Sequence, residues 1–579
     1  MLRRVLIGAL SAVFATALTG QAHAAAQVLM PNVSYERTVQ FTAHGPVVLN
    51  VLTAPRPGGL YQLRPLLSNG AILGTERVTA MQKDISDSAT VAGVNGDLFN
   101  FKDGHPTGMF MQDKVLMSTP YRARSSVGIG SGGKLNVGRV SFFGYWQGLG
   151  QRRPLTGLNQ PPRADGTSLF TPAWGAATPR IAGVVEAVLQ PFPPAVPGTA
   201  LTGVVTATHV GGGLPIPRNG AVLLARGSQV AKLQAEATPG TPILTRLILS
   251  PDWLASGVTD ALGGGPAIVR NGKPVWTAGE DFLPSQLGPR NPRTAVGQRA
   301  DGKIIMLAVD GRRRGFSVGM TNWELAQAMV RLGAVTASAL DAGGSTTMAF
   351  DGKLLNRPSD PGGERSVAES LAILYTGVYA PPPALGVVSP NGDGIAERQQ
   401  LAYKVVKTSS VTATLVGPGG ATGFTETVTR QPGTYTFQWP ASAKLKTQEP
   451  LGRWRWVVSA TDTSGQSSSV ERSFWLNDTL GFMSVAPRSV RLRAKTRTAV
   501  VARFKLAAPA RVTPSIWTKS GILIRRLPAR NLAAGTRTLA WNGRFQNGRL
   551  VYRGAYVFKV SAQNSFGPAD LSQIFVIRR

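Results

Sequence analysis

The 579-residue chain contains no cysteine and only four histidines. The first absence removes disulfides, thiol nucleophiles, cysteine-zinc sites and lipid attachment through a thiol. The second, with no two histidines clustered, argues against a zinc hydrolase. Carboxylates are scarce too: 30 Asp and Glu stand against 62 Lys and Arg, a net charge of +32. That surplus calls for an anionic partner or habitat. A single long apolar run, residues 5–18, opens the chain, and it is too short for a membrane anchor. With Arg3 and Arg4 before it and Ala22-His23-Ala24 after it, residues 1–24 read as a cleavable signal peptide, so the protein is expected to be secreted, extracellular or associated with a cell wall. No transmembrane segment is expected once it is removed.

Glycine (67) and proline (41) are plentiful, which favours turn-rich, strand-rich structure over helical bundles. The length exceeds one hydrophobic core, and Tyr379-Ala380-Pro381-Pro382-Pro383 marks a stiff break. The reading is therefore a multidomain chain: an α+β domain with a mixed sheet at 25–378 (core 91–375), a linker at 379–384, and two all-β sandwiches at 385–478 and 479–579. The two sandwiches follow from a repeat. Trp439, Gly452 and Gly465 are spaced 13 and 13, as are Trp541, Gly554 and Gly567, displaced by 102 residues. Each middle glycine precedes an alternating strand: Trp454, Trp456, Val458, Ala460 in one copy and Tyr556, Phe558, Val560, Ala562 in the other. Ser389-Pro390-Asn391-Gly392-Asp393-Gly394, Trp541-Asn542-Gly543 and Arg553-Gly554-Ala555-Tyr556 resemble the Ig-like modules related to the flagellar hook-capping protein. Residues 481–579 hold 19 Lys and Arg against one acid, Asp570. With an export signal, an anionic wall polymer suits this surface better than nucleic acid, and a basic surface without a specific ligand is an equal alternative.

Catalytic sets are mostly excluded. Gly315-Phe316-Ser317-Val318-Gly319 fits a nucleophile elbow, but all four histidines precede Ser317, the reverse of the α/β-hydrolase order. What remains is acids and arginines at strand ends. The apolar run Ile304-Ile305-Met306-Leu307-Ala308-Val309 reads as a buried strand ending at Asp310-Gly311-Arg312. Thr321-Asn322-Trp323-Glu324 is a capping box, Leu325, Met329 and Leu332 form one apolar helix face, and Gly333 stops the helix. A strand at 335–340 then ends at Asp341-Ala342-Gly343-Gly344-Ser345. Glycines there let the backbone approach an anionic oxygen, with the Ser345 hydroxyl as a further donor; a tight turn into a hairpin at 348–353 explains them equally well.

Asn95-Gly96-Asp97-Leu98-Phe99, Gly263-Gly264-Gly265-Pro266, Arg290-Asn291-Pro292-Arg293-Thr294-Ala295-Val296-Gly297, Val309-Asp310-Gly311-Arg312, Leu340-Asp341-Ala342-Gly343-Gly344-Ser345 and Arg365-Ser366-Val367-Ala368 occur in the order of one family. Together they resemble the phosphodiester glycosidases, from about Val91 to Tyr375. The resemblance implies a hydrolase that releases a sugar from a sugar-1-phosphodiester; separately, no cofactor is expected and no metal-binding residues are assigned. The catalytic candidates it implies are Asp341 first and Asp310 second, with Asn95 and Asp97. The candidates for holding phosphate are Arg293, Arg312, Arg365, Gly343, Gly344 and Ser345. An Asp-Gly turn would also explain Asp310, and a surface ion pair Arg365. Asp97 and Ala342 depart from the family's usual small residue and glycine: Asp97 either adds a carboxylate or binds a turn, and Ala342 is tolerable only at negative φ.

Overall fold

The computed structural model of the protein describes residues 22–23, 26–276, 278–440 and 449–578. The signal-peptide reading at 1–24 lies outside them, apart from Ala22 and His23. Strands make up 51% and helices 8% of the structure. The chain is thus mostly β. Among the described residues no helix is long and apolar enough to cross a membrane. The chain divides into two compact units, residues 1–86 with 91–374 and residues 87–90 with 375–579.

The centre of the first unit is a nine-stranded sheet. Strand Arg293–Arg299 runs between Ile304–Val309 and Ala334–Ala339, antiparallel to both. The two outer strands are therefore parallel to each other, and helix Asn322–Arg331 carries the chain from one to the other. The helix begins as its sequence predicts: the Thr321 hydroxyl accepts from the Glu324 N–H, and the Glu324 carboxylate accepts from the Thr321 N–H at 2.9 Å. Leu325 and Met329 are fully buried against Ile305, Leu307 and Ala337, each contributing about 1.5–3 kcal/mol. Gly333, at φ +90°, ends it. Ile304–Val309 is buried along its whole length because strands flank both edges, Arg293–Arg299 on one and Gly45–Ala54 on the other.

This register decides where the chemistry falls. Arg293 pairs with Val309 and Ala295 with Ala339, so Arg293, Asp310 and Asp341 emerge at one end of the sheet. A five-stranded sheet places Thr90–Asn95 between Met348–Phe350 and Glu369–Tyr375. The hairpin Val33–Thr42 and Gly45–Ala54 extends the large sheet, so the core begins well before residue 91. Glycine at 45 permits the φ of +122° at its turn.

In the second unit the boundary lies earlier than the prolines. Val378 and Ala380 belong to the hydrophobic core of the following sandwich, and Tyr379 exchanges two backbone hydrogen bonds with Lys404. Their apolar side chains make this stretch a packed strand entry instead of a solvated spacer. The repeat is structural. Gly452–Asp462 pairs with Ser467–Leu476, as Gly554–Asn564 pairs with Gly567–Arg578, and all eight inward residues of the two alternating strands are buried. Gly452 and Gly554 sit at φ +138° and +155°, Gly465 and Gly567 at +80° and +106°, which accounts for the conserved spacing. The Asn391–Gly394 loop is an Asx-rich turn: Asn391 Oδ1 accepts from the Asp393 N–H, and Asp393 Oδ1 from the Ile395 N–H.

Candidate active site

A cleft of about 190 Å³ opens at the strand ends, walled by Asp341, Ala342, Gly343, Arg293, Arg312 and Phe282, with Asn291 and Leu98. Asp341 follows strand Ala334–Ala339 and is fixed through its backbone. Its N–H donates to Gly96 O at 3.0 Å, and its carbonyl accepts from Asn95 Nδ2 at 2.9 Å. Burial pushes its carboxyl up to about 6, against the opposing pull of the Ser345 hydroxyl, the Ala342 N–H, Arg365 and Arg124. Oδ1 accepts from the Ala342 N–H at 2.8 Å. Ala342 sits at φ −119°, so its methyl group imposes no strain. The result is a carboxylate that ionises near neutrality at the wall of a small pocket.

The glycines beside it make room for guanidinium groups. Gly343, at φ +69°, has Arg312 Nη2 only 2.9 Å from where a Cβ would stand. At Gly344 a Cβ would overlap Nη2 of Arg365 and Oδ1 of Asp360. Arg312 is exposed, with Nε donating to Asn291 Oδ1 at 3.0 Å, and its terminal nitrogens meet no acceptor among the described residues. Arg365 pairs with Asp360 at 2.8 Å, reaches Ser345 Oγ at 3.4 Å and lies over the exposed Phe101 ring. It does not line the cleft. Arg293 is nearly buried, and its donors go to the carbonyls of Met320, Leu287 and Pro289. Burial and the neighbouring Arg312 push it down to about 10. It lines the cleft while bracing the 287–293 loop. Gly343 likewise spends its N–H on Pro292 O, and Ser345 is buried beneath Asp341 instead of open to a ligand.

Three sequence candidates point elsewhere. Asp310 is buried away from the cleft, where Oδ1 accepts from Asn356 Nδ2 and the Arg357 N–H. Desolvation raises its carboxyl. Through Asn356, which also accepts from the Met348 N–H and donates to Thr346 O, it ties down the turn after Ser345. The side chain of Asn95 is consumed internally: Oδ1 accepts from Thr294 Oγ1 and the Thr347 N–H, and Nδ2 donates to Asp341 O. Asp97 is buried against the Cα atoms of Gly108 and Gly263, with Oδ2 lacking any partner, and burial pushes it up to about 7. Ser317, also fully buried, donates to Asp310 O and accepts from the Val48 N–H, so it is no nucleophile.

Residues 197–374 match the family model described as phosphodiester glycosidase, and residues 489–565 that of the FlgD Ig-like domain. The likeness to phosphodiester glycosidases thus falls on residues 197–374. It is 40% identical over 68 residues to the bovine N-acetylglucosamine-1-phosphodiester α-N-acetylglucosaminidase, 12% of each chain. It is 34% identical over 122 residues to a Bacillus subtilis prophage-derived protein, YomE, 21% of this chain and 18% of that one. The matches thus span under a fifth of either curated relative. A solved protein from Synechocystis superposes at TM-score 0.52 with 26% identity, over 60% of this chain and 62% of its own.

The first unit also holds charged groups that sequence reasoning passed over. Glu369 is fully buried, accepts from the Asp97 N–H at 2.9 Å, and is raised well above the usual carboxylate range by desolvation and by Asp97. Arg124, nearly buried, donates to Thr107 Oγ1 at 2.8 Å and lies over the Tyr121 and Phe282 rings. Its charge pulls down both Asp97 and Asp341. Glu280 accepts from the Ser125 N–H and hydroxyl and the Ala267 N–H. A signal for Glu369 existed: a lone acid opening the apolar run Ser370-Leu371-Ala372-Ile373-Leu374 of a buried strand.

Proposed function

We propose that this protein is an exported hydrolase that releases a sugar from a sugar-1-phosphodiester on a cell-surface or extracellular glycan. The observation that carries the reading is the pairing of Asp341, tuned to about 6, with the Arg312 guanidinium poised over Gly343 in the same cleft. The bond to be broken expels a phosphate monoester, a good leaving group that needs no strong general acid, unlike the two-carboxyl arrangement of ordinary glycosidases. Arg312 presents free N–H donors to the phosphate oxygens, and guanidinium geometry suits that contact. Arg365 adds positive charge from the other side of the glycine turn and, through Ser345, steadies Asp341. Ionised Asp341 stabilises the oxocarbenium-like sugar or activates water. Asn95, Arg293 and Asp310 act by positioning. A chromogenic sugar-1-phosphodiester tests this. The parent should hydrolyse it with a rate that climbs through about pH 6, and Asp341→Asn should lose about a thousandfold while folding normally. A folded Asp341→Asn protein with parental turnover would remove Asp341 from the reaction, and an inert parent would favour a non-catalytic, polymer-binding role. Both C-terminal sandwiches are read as Ig-like, the basic one as a tether to an anionic wall polymer.

A further inference from the structure

The largest of the cavities described in the first unit is not the cleft at Asp341. A groove of about 640 Å³ lies beside Tyr121, Arg122, Phe143, Gln160 and Arg163. Its walls carry two guanidinium groups and no carboxylate. Arg122 and Arg163 are both exposed, and neither side chain meets an acceptor among the described residues. Basic residues outnumber acids 62 to 30, so unpaired cations are common in this chain; Arg122 and Arg163 are two that stand along the same groove. The rings of Tyr121 and Phe143 are 46% and 55% exposed, large flat surfaces on which the C–H faces of sugars or polyols can rest.

The groove and the cleft share a thin partition. Thr107 lines the groove and donates both its N–H and its hydroxyl to the carbonyl of Leu98, which lines the cleft. Arg124 spans the same wall, lying 4.8 Å from the ring centroid of groove-lining Tyr121 and 5.8 Å from that of cleft-lining Phe282. One wall thus separates the cleft from the groove, with Leu98 and Phe282 on the cleft side and Thr107 and Tyr121 on the groove side.

We propose that this groove binds the phosphodiester-linked polymer that continues beyond the scissile bond, with Arg122 and Arg163 meeting successive phosphates. The proposal rests on the reading of the cleft as a glycosidase site and names its substrate class: a polyanionic chain rather than a single small phosphodiester. Two measurements on the full-length protein test it. In the first, Arg122→Gln/Arg163→Gln is compared with the parent on a minimal chromogenic sugar-1-phosphodiester and on one whose aglycone continues as poly(glycerol phosphate). The double variant should lose about tenfold in kcat/KM on the extended substrate and less than about twofold on the minimal one, since charge-assisted contacts are lost only where phosphates reach them. Equal losses on both substrates, or none on the extended one, would overturn the proposal. In the second, phenylglyoxal labels the arginines with and without short poly(glycerol phosphate), and with a neutral oligosaccharide. Selective protection of Arg122 and Arg163 by the anionic chain is expected; no protection, or equal protection by the neutral sugar, counts against the groove. Protection in a protein that cleaves neither substrate would support the groove and overturn only the reaction.

Discussion

The first unit and the C-terminal repeats treat charge in opposite ways. Within the first unit Asp97, Arg124, Glu186, Glu236, Glu280, Arg293, Asp310 and Glu369 are all buried. From residue 375 onward the described buried polar residues are Ser, Thr, Asn and Gln, besides tyrosine hydroxyls, with no acidic or basic residue among them. Burying charge is costly unless it is paired or neutralised, so a fold accumulates it where geometry must be held against that cost. The sandwiches need only alternate apolar and polar residues along each strand, and the basic residues described in 481–578 can remain at the surface side of that alternation. Chemistry and bulk charge are thus divided between the units.

The sharpest way to break this contrast is to add one methyl group in each unit. Gly344→Ala would place a Cβ into Arg365 and Asp360, driving the guanidinium off the Asp341 turn, whereas Gly465 at a sandwich turn has nothing within 4 Å. Gly344→Ala should lower hydrolysis by about a hundredfold with little change in Tm. Gly465→Ala should cost about 1 kcal/mol of stability, from its φ of +80°, and leave turnover alone. If both variants hydrolyse normally, the glycine turn is only a turn.

A second comparison separates two arginines that look alike in sequence. Arg293→Lys forfeits carbonyl contacts to Met320, Leu287 and Pro289, so it should destabilise the domain by about 2–3 kcal/mol, read as a lower Tm. Arg312→Lys keeps its charge at an exposed site and should fold normally while losing about tenfold or more in kcat/KM. Matching melting curves for the two variants would mean Arg293 is no brace.

Much of this layout was legible beforehand, and the failures share one cause. Local signals were sound: the Thr321–Glu324 capping box, the buried run at Ile304–Val309, and the paired glycine spacings all describe contacts within a few residues or one strand. Asp341 was legible because it ends a strand beside glycines. What sequence could not give was direction. Asp310 ends an equally apolar strand, yet it turns inward to Asn356, a partner 46 residues away. Arg365 does form the ion pair that its sequence left open, with Asp360. Glu369 left a signal as a lone acid opening an apolar strand, but its partner Asp97 is 272 residues away, and Arg124 lies in a loop with no periodicity.

Buried acids also separate the units by pH. Asp97 titrates near 7 in the fold and near the ordinary carboxylate value when unfolded, because burial disfavours its charge. A raised folded-state value means the native protein holds the extra proton, so stability falls as pH rises from about 4 to about 7 and is flat above. Asp97→Asn should remove that slope and gain on the order of 3 kcal/mol at pH 8, with the gain vanishing toward pH 4. Thermal melts across pH check it; an unchanged slope would place the effect on Glu369 alone.

The smallest effect expected is on retention. The basic C-terminal sandwich is proposed to fix where the enzyme stays without altering what it cleaves. A chain ending after Asp478 keeps the first sandwich and loses the 19 basic residues of 481–579. It should hydrolyse a small soluble substrate like the full chain, since Asp341, Arg312 and their supports all lie in the first unit. Its retention on anionic wall material should fall. For the full chain, retention should weaken with salt, because screening shortens the Debye length from about 10 Å at 0.1 M to about 3 Å at 1 M. Sedimentation of both proteins with wall material across a salt series separates the cases. If the two sediment equally, or the full chain is indifferent to salt, the surplus charge is a surface property without a ligand, and the division of labour between the units is limited to the chemistry.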